Sequence, residues 1–131
     1  MPRAAAMTLS AALLIGLALG LTVAVAVRPA AALGGNYDGS WTVRVITERG
    51  HCDRTTNYDV RLARGKVVYR SYSSVSLWGS VSPDGAVSVS IRHFDDGARG
   101  SGRLSERSGG GGWSGVGKKG PCSGHWVAHR H

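Results

Sequence analysis

Cys52 and Cys122 are the only cysteines of the chain, and they open three kinds of chemistry: a metal pair, a nucleophile or a disulfide. Three histidines, His125, His129 and His131, crowd the C-terminus, and imidazole is the commonest transition-metal ligand. They share strand parity, but spacings of four and two residues span ~13 Å and ~7 Å of extended chain, too far for one ion without a bend. Weak, adventitious zinc, copper or nickel binding is the most they offer, so no metal site is expected. Asp95 and Asp96 lack the ligand spacing of a calcium loop and read as a hairpin turn. No serine stands in a nucleophile elbow, and the carboxylates are scattered over turns. The run Ser108 to Gly112 lacks the Lys-Ser/Thr pair and helix of a phosphate loop. The chain is therefore read as a non-enzyme without a cofactor.

Charge and aromatic residues suggest binding instead. The chain holds 16 Lys and Arg against 8 Asp and Glu. Arg44, Arg61, Lys66, Arg70, Arg92, Arg99 and Arg103 fall on the polar parity of their segments, and Lys118-Lys119 add to them. A field of that sign keeps a protein soluble and attracts anionic polymers such as lipopolysaccharide phosphates or acidic polysaccharide. Arg92, Arg99, Arg103, Lys118 and Lys119 are the candidate anion-binding residues. Trp41, Trp113 and Trp126 fall on the apolar parity, where they either line an internal ligand site or complete a solid core. Trp78 shares the parity of Ser76 and Ser80, which means either a bulge that shifts the register or an exposed indole. Nucleic acid is a poor candidate partner, because base stacking needs outward aromatics and Trp78 alone qualifies.

The N-terminus decides the fate of the cysteines. Arg3 precedes an uncharged stretch from Ala11 to Val27 dominated by Leu, Ala and Val, and Pro29-Ala30-Ala31-Ala32 supplies the small residues a signal peptidase accepts. Residues 1–32 read as a helical export signal cleaved after Ala32. The alternative is an uncleaved anchor, since Met7 to Val27 reaches the roughly 20 apolar residues that cross a bilayer, and only then is a membrane a partner. In the periplasm or outside the cell a Cys52–Cys122 disulfide is the expected state. It closes a loop of about 71 residues, for which the chain-entropy model gives roughly 4 kcal/mol. Cleavage leaves a single domain, 33–131, and lowers the formal charge from +8 to +6 because Arg3 and Arg28 depart.

The elements that position these residues are strands. Apolar and polar residues alternate in short runs divided by Gly, Pro, Asp and Asn, and no window shows helical spacing. Trp41, Val43 and Val45 oppose Thr42, Arg44 and Glu48. Tyr58, Val60 and Leu62 follow, and Arg64-Gly65 turns the chain into Lys66 to Ser71. Val75, Leu77 and Val81 form a fourth run, ended by the turn Ser82-Pro83-Asp84-Gly85. Ala86 to His93 is the clearest strand. In the sixth, Ala98, Gly100, Gly102 and Leu104 make a face of small residues with room for indole rings. Ser108 to Gly112 reads as a flexible turn, Lys118-Lys119 lie in a last long connection, and His125 to His129 form the eighth run.

Eight short strands with hairpin-length connections predict an all-β antiparallel meander closed into a small up-and-down barrel, with a two-sheet sandwich as the alternative. In a closed meander, Cys52 after strand one and Cys122 after strand seven become neighbours when strand one pairs with strand eight. Closure also removes exposed sheet edges.

Tyr37-Asp38-Gly39-Ser40-Trp41, Cys52-Asp53-Arg54, the Gly-x-Gly-x-Leu of Gly100 to Leu104, Gly112-Trp113-Ser114-Gly115 and Cys122-Ser123-Gly124-His125-Trp126 together resemble a group of uncharacterised small exported proteins of alphaproteobacteria. That resemblance implies secretion and a β-rich domain, and no activity or ligand. Gly39-Ser40-Trp41 is also similar to the Gly-x-Trp of lipocalins, avidins and barrel-shaped metalloprotease inhibitors. The expected function is an exported, non-catalytic binding or interaction module of the cell envelope, whose partner is a small apolar ligand, an envelope polymer or a protein. The alternative is a surface-associated protein that binds anionic polymer through its basic outer face.

Overall fold

The computed structural model describes residues 20, 22–26, 36–70 and 73–131. The expected signal helix lies outside the described residues except for 20 and 22–26, which carry no regular secondary structure. The cleavage point after Ala32 and Ser71 of the third run also lie outside them.

Eight antiparallel strands follow one another around a closed barrel. They are β1 (Gly39–Arg49), β2 (Thr55–Ala63), β3 (Lys66–Val68), β4 (Val75–Val81), β5 (Ala86–His93), β6 (Asp96–Leu104), β7 (Ser108–Gly117) and β8 (Gly120–Arg130). β1 pairs with β2 on one side and with β8 on the other, Val45 lying between Thr56 and Trp126. That closure overturns the sandwich alternative. Alternation explains the strands: Val60, Leu62, Val81, Val87 and Leu104 are buried, while Arg44, Arg61, Arg92, Arg99 and Arg103 between such positions are exposed.

Turn chemistry sets the hairpins. Arg64 (φ 52°) and Gly65 (φ 71°) are both left-handed, as a two-residue hairpin turn matched to strand twist requires. The Asp38 carboxylate accepts hydrogen bonds from the backbone N–H groups of Arg64 (2.8 Å) and Gly65 (3.0 Å). In the Ser82 to Gly85 turn the N–H of Gly85 donates to the carbonyl of Ser82 at 2.9 Å.

Three sequence expectations need correction. Ser108 to Gly112 is the first half of β7, because glycine is weak in strands for want of a side chain to pack, and here a neighbouring indole supplies the packing. A Cβ at Gly111 would lie 1.9 Å from the carbonyl oxygen of Ser101, so the close β6 to β7 approach depends on its absence. Lys118 and Lys119 form a tight two-residue turn rather than a long connection, and Cys122 lies inside β8. The third strand is short, ending at Val68.

The disulfide Cys52–Cys122 is formed and spans 70 residues. It ties the β1 to β2 connection to β8 and so pins the seam where the meander closes. We call this the disulfide end of the barrel; the turns 64–65, 82–85 and 105–107 mark the other.

Candidate functional site

The two ends of the barrel are filled differently. At the turn end Trp41 is 2% exposed and packs with Val60, Leu62, Val81, Val87, Leu104 and Ala128 into a buried cluster that forms the inner wall of a cavity. Residues 36–38 close that end. The Trp41 indole N–H donates to the Tyr37 carbonyl at 2.8 Å, and the Arg130 guanidinium donates to the carbonyls of Asn36 and Glu106 at 3.0 and 3.1 Å and to that of Asp38. The same guanidinium lies over the Trp41 ring, 5.7 Å from its centroid. The two backbone amides it accepts hold the Asp38 carboxyl below the usual carboxylate range, since they favour the charged form.

Toward the disulfide end the inward side chains Val43, Val45, Tyr58, Leu77, Val89 and Trp113 are only partly buried. They surround the same cavity of about 250 Å³, which reaches Cys52, Thr56, Ile91 and Ala98 at this end and extends inward to Trp41, Leu62, Leu104 and Ala128. Its wall is aliphatic and aromatic, with few polar groups. The Thr47 hydroxyl donates to the Asp53 carbonyl at 2.6 Å, which satisfies it. Tyr58 meets Tyr69 edge to face, and burial pushes its phenol above the usual tyrosine range because the anion would lose water.

The three inward tryptophans come together on this cavity. Each commits its indole N–H to a backbone carbonyl, so what they offer a guest is ring surface. Trp113 on β7 passes β8 at Gly124 and donates to the Ile46 carbonyl of β1 at 3.0 Å. Trp126 on β8 passes β7 at Gly111 and donates to the Ser101 carbonyl of β6 at 3.2 Å. The small-residue face of β6 has the expected use: a Cβ on Gly102 would sit 2.7 Å from Cζ2 of Trp126, and one on Gly100 3.5 Å from its Nε1. Gly111 and Gly124, which let the rings cross neighbouring strands, carry no signal beyond their parity.

The basic candidates do not form one patch. Arg92 and Arg99 stand on adjacent strands of the outer face, Arg99 also bordering the cavity beside Gly100. Arg103 pairs with Asp84 (3.7 Å) and donates to the Asp84 carbonyl. Lys118 and Lys119 lie at the disulfide end. Trp78 is half exposed in unbroken register with Ser90, so the indole is outward and no bulge intervenes. His125 contacts the Glu48 carboxylate and His131 the Thr42 hydroxyl, and among the described residues no group of three or more His, Cys, Asp or Glu is placed to hold a metal ion. Asp95 lies in the β5 to β6 turn and Asp96 opens β6. The sequence signals missed residues 36–38 and Arg130, whose part in closing the barrel depends on the two ends of the chain meeting.

The chain matches no family model, no curated protein and no solved structure.

Proposed function

We propose that this protein is an exported, non-catalytic binding barrel that holds a small apolar ligand in its bore, entered from the disulfide end. The observation that carries this reading is the cavity of about 250 Å³ lined by Val43, Val45, Leu77, Val89, Ile91 and the tryptophans. An apolar cavity of ~150 Å³ already admits benzene, so this one has room for a two-ring aromatic or a short acyl chain. Burial of apolar surface supplies the affinity, at about 25 cal/mol per Å² before the losses of association. The apolar N-terminal segment and the disulfide support an extracytoplasmic setting, where oxidised cysteines persist.

The test is a titration of the protein with 1-naphthylamine, an uncharged two-ring probe. Saturable one-to-one binding with quenching of tryptophan emission is expected, and Ala98→Leu, which fills the cavity, abolishes it. Absence of saturable binding, or binding unchanged in the Ala98→Leu protein, overturns the reading.

A further inference from the structure

The outer face of the barrel carries a second arrangement, of which only Arg99 also borders the cavity. Trp78 on β4 is paired with Ser90 on β5, and Ser90 is paired with Arg99 on β6, so the three stand in one row across the sheet. With strands ~4.8 Å apart, the indole and the Arg99 backbone lie about 10 Å from each other on either side of Ser90. Arg92, the next outward residue along β5, is opposite Ser76 and diagonal to both Trp78 and Arg99. Ser76, Ser80, Ser88, Ser90 and Ser101 fill the remaining outward positions around this group.

Its charge is one-sided. No Asp or Glu occupies an outward position on β3 to β7, whereas Glu48 on β1 and Asp59 on β2 stand on the opposite side of the barrel. Arg103 is held by Asp84, but among the described residues no side-chain hydrogen bond or ion pair engages Arg92 or Arg99. Trp78 is 50% exposed and Val68, outward on neighbouring β3, is exposed too.

We infer that this face docks an acidic polysaccharide. The indole provides a flat apolar platform for the C–H face of a sugar ring, and the two guanidiniums, planar and permanently charged, pair with carboxylates on the same or the next sugar. The surrounding hydroxyls both donate and accept hydrogen bonds, which suits a ligand whose own groups are hydroxyls. A single-stranded nucleic acid would call for successive aromatic platforms. An anionic membrane would call for a broader apolar surface than one indole and one valine. Of this face only Arg99 borders the cavity, so Trp78→Ala tests the face apart from the cavity.

Isothermal titration of the full chain with alginate oligomers, a polyuronate, tests the inference, with neutral dextran, single-stranded DNA and anionic phospholipid vesicles run beside it. Alginate should bind and dextran should not. Trp78→Ala should weaken alginate binding about tenfold, and Arg92→Gln with Arg99→Gln should do the same and flatten its salt dependence. Unchanged melting temperatures in these surface variants establish that the fold is intact, and Arg44→Gln on the opposite side should bind alginate as well as the original chain. The inference is overturned if alginate does not bind, if Trp78→Ala leaves its affinity unchanged, or if DNA or vesicles bind more tightly than alginate.

Discussion

The turn end and the disulfide end of this barrel are built from the same strands and share one cavity, yet the inward side chains are fully buried at the first and only partly buried at the second. At the turn end, Trp41 fills the bore, and residues 36–38, Arg130 and the Asp38 bonds to the 64–65 turn cover it. At the disulfide end Val43, Val45, Val89, Ile91 and Trp113 line the wider part of the cavity and stay only partly buried. A void forfeits the dispersion contacts that hold an interior together. The covalent bond is located where packing is poorest, which suggests a division of labour: packing and hydrogen bonds hold the turn end, and the Cys52–Cys122 bridge holds the end that is left open.

The largest expected effect comes from removing that bridge. Cys52→Ala with Cys122→Ala should lower stability by about 4 kcal/mol, measured by urea unfolding. An unchanged unfolding midpoint would break the comparison, because the open end would then hold itself. Next, truncating equivalent aliphatic side chains should give unequal losses. Leu62→Ala, fully buried at the turn end, should cost about 3 kcal/mol, whereas Ile91→Ala, partly exposed at the disulfide end, should cost about 1 kcal/mol. Equal losses would mean that both ends are equally packed. Smaller still is Ala98→Leu, which grows into empty space and should shift stability by less than about 1 kcal/mol, since overpacking needs a filled site.

Acid should act on the packed end. Asp38 and Asp84, both at the turn end, have carboxyls held below the usual range, Asp38 first by the Gly65 amide and Asp84 first by the Ser82 hydroxyl. A depressed folded-state value gives stability that is present above the unfolded carboxylate range and is lost as the pH falls through the folded value. Thermal melts below the usual carboxylate range should therefore show a modest loss that Asp38→Asn reduces. Tyr58 works in the other direction at the open end. Its raised phenol gives stability that is present below the ordinary tyrosine value and lost as the pH rises through the folded one, and Tyr58→Phe should remove that alkaline loss.

The strands, the barrel and the seam disulfide were legible because each is encoded locally or by forced pairing: alternation, Arg64-Gly65, Ser82 to Gly85, and a lone pair of cysteines. Parity also placed Trp41, Trp113 and Trp126 inside. What parity could not give was the filling of the interior. Whether three indoles and a row of glycines add up to a solid core depends on where the rings swing, and Trp113 and Trp126 reach two strands away over Gly124 and Gly111. The glycine run of β7 has the composition of a turn for the same reason, since its packing partner belongs to another strand. Arg130 looked like one more surface cation, and only closure of the barrel brings it to Asn36 and Trp41.

The central claim is that the bore, covered at the turn end, takes an apolar guest through the disulfide end. The most direct measurement is a methyl NMR titration with decanoate. Saturable shifts should be confined to bore-lining methyls such as Val43, Val45, Val89 and Ile91, with the outward Val68 and Val116 unmoved. Shifts spread evenly over both sets, or none that saturate, would contradict it.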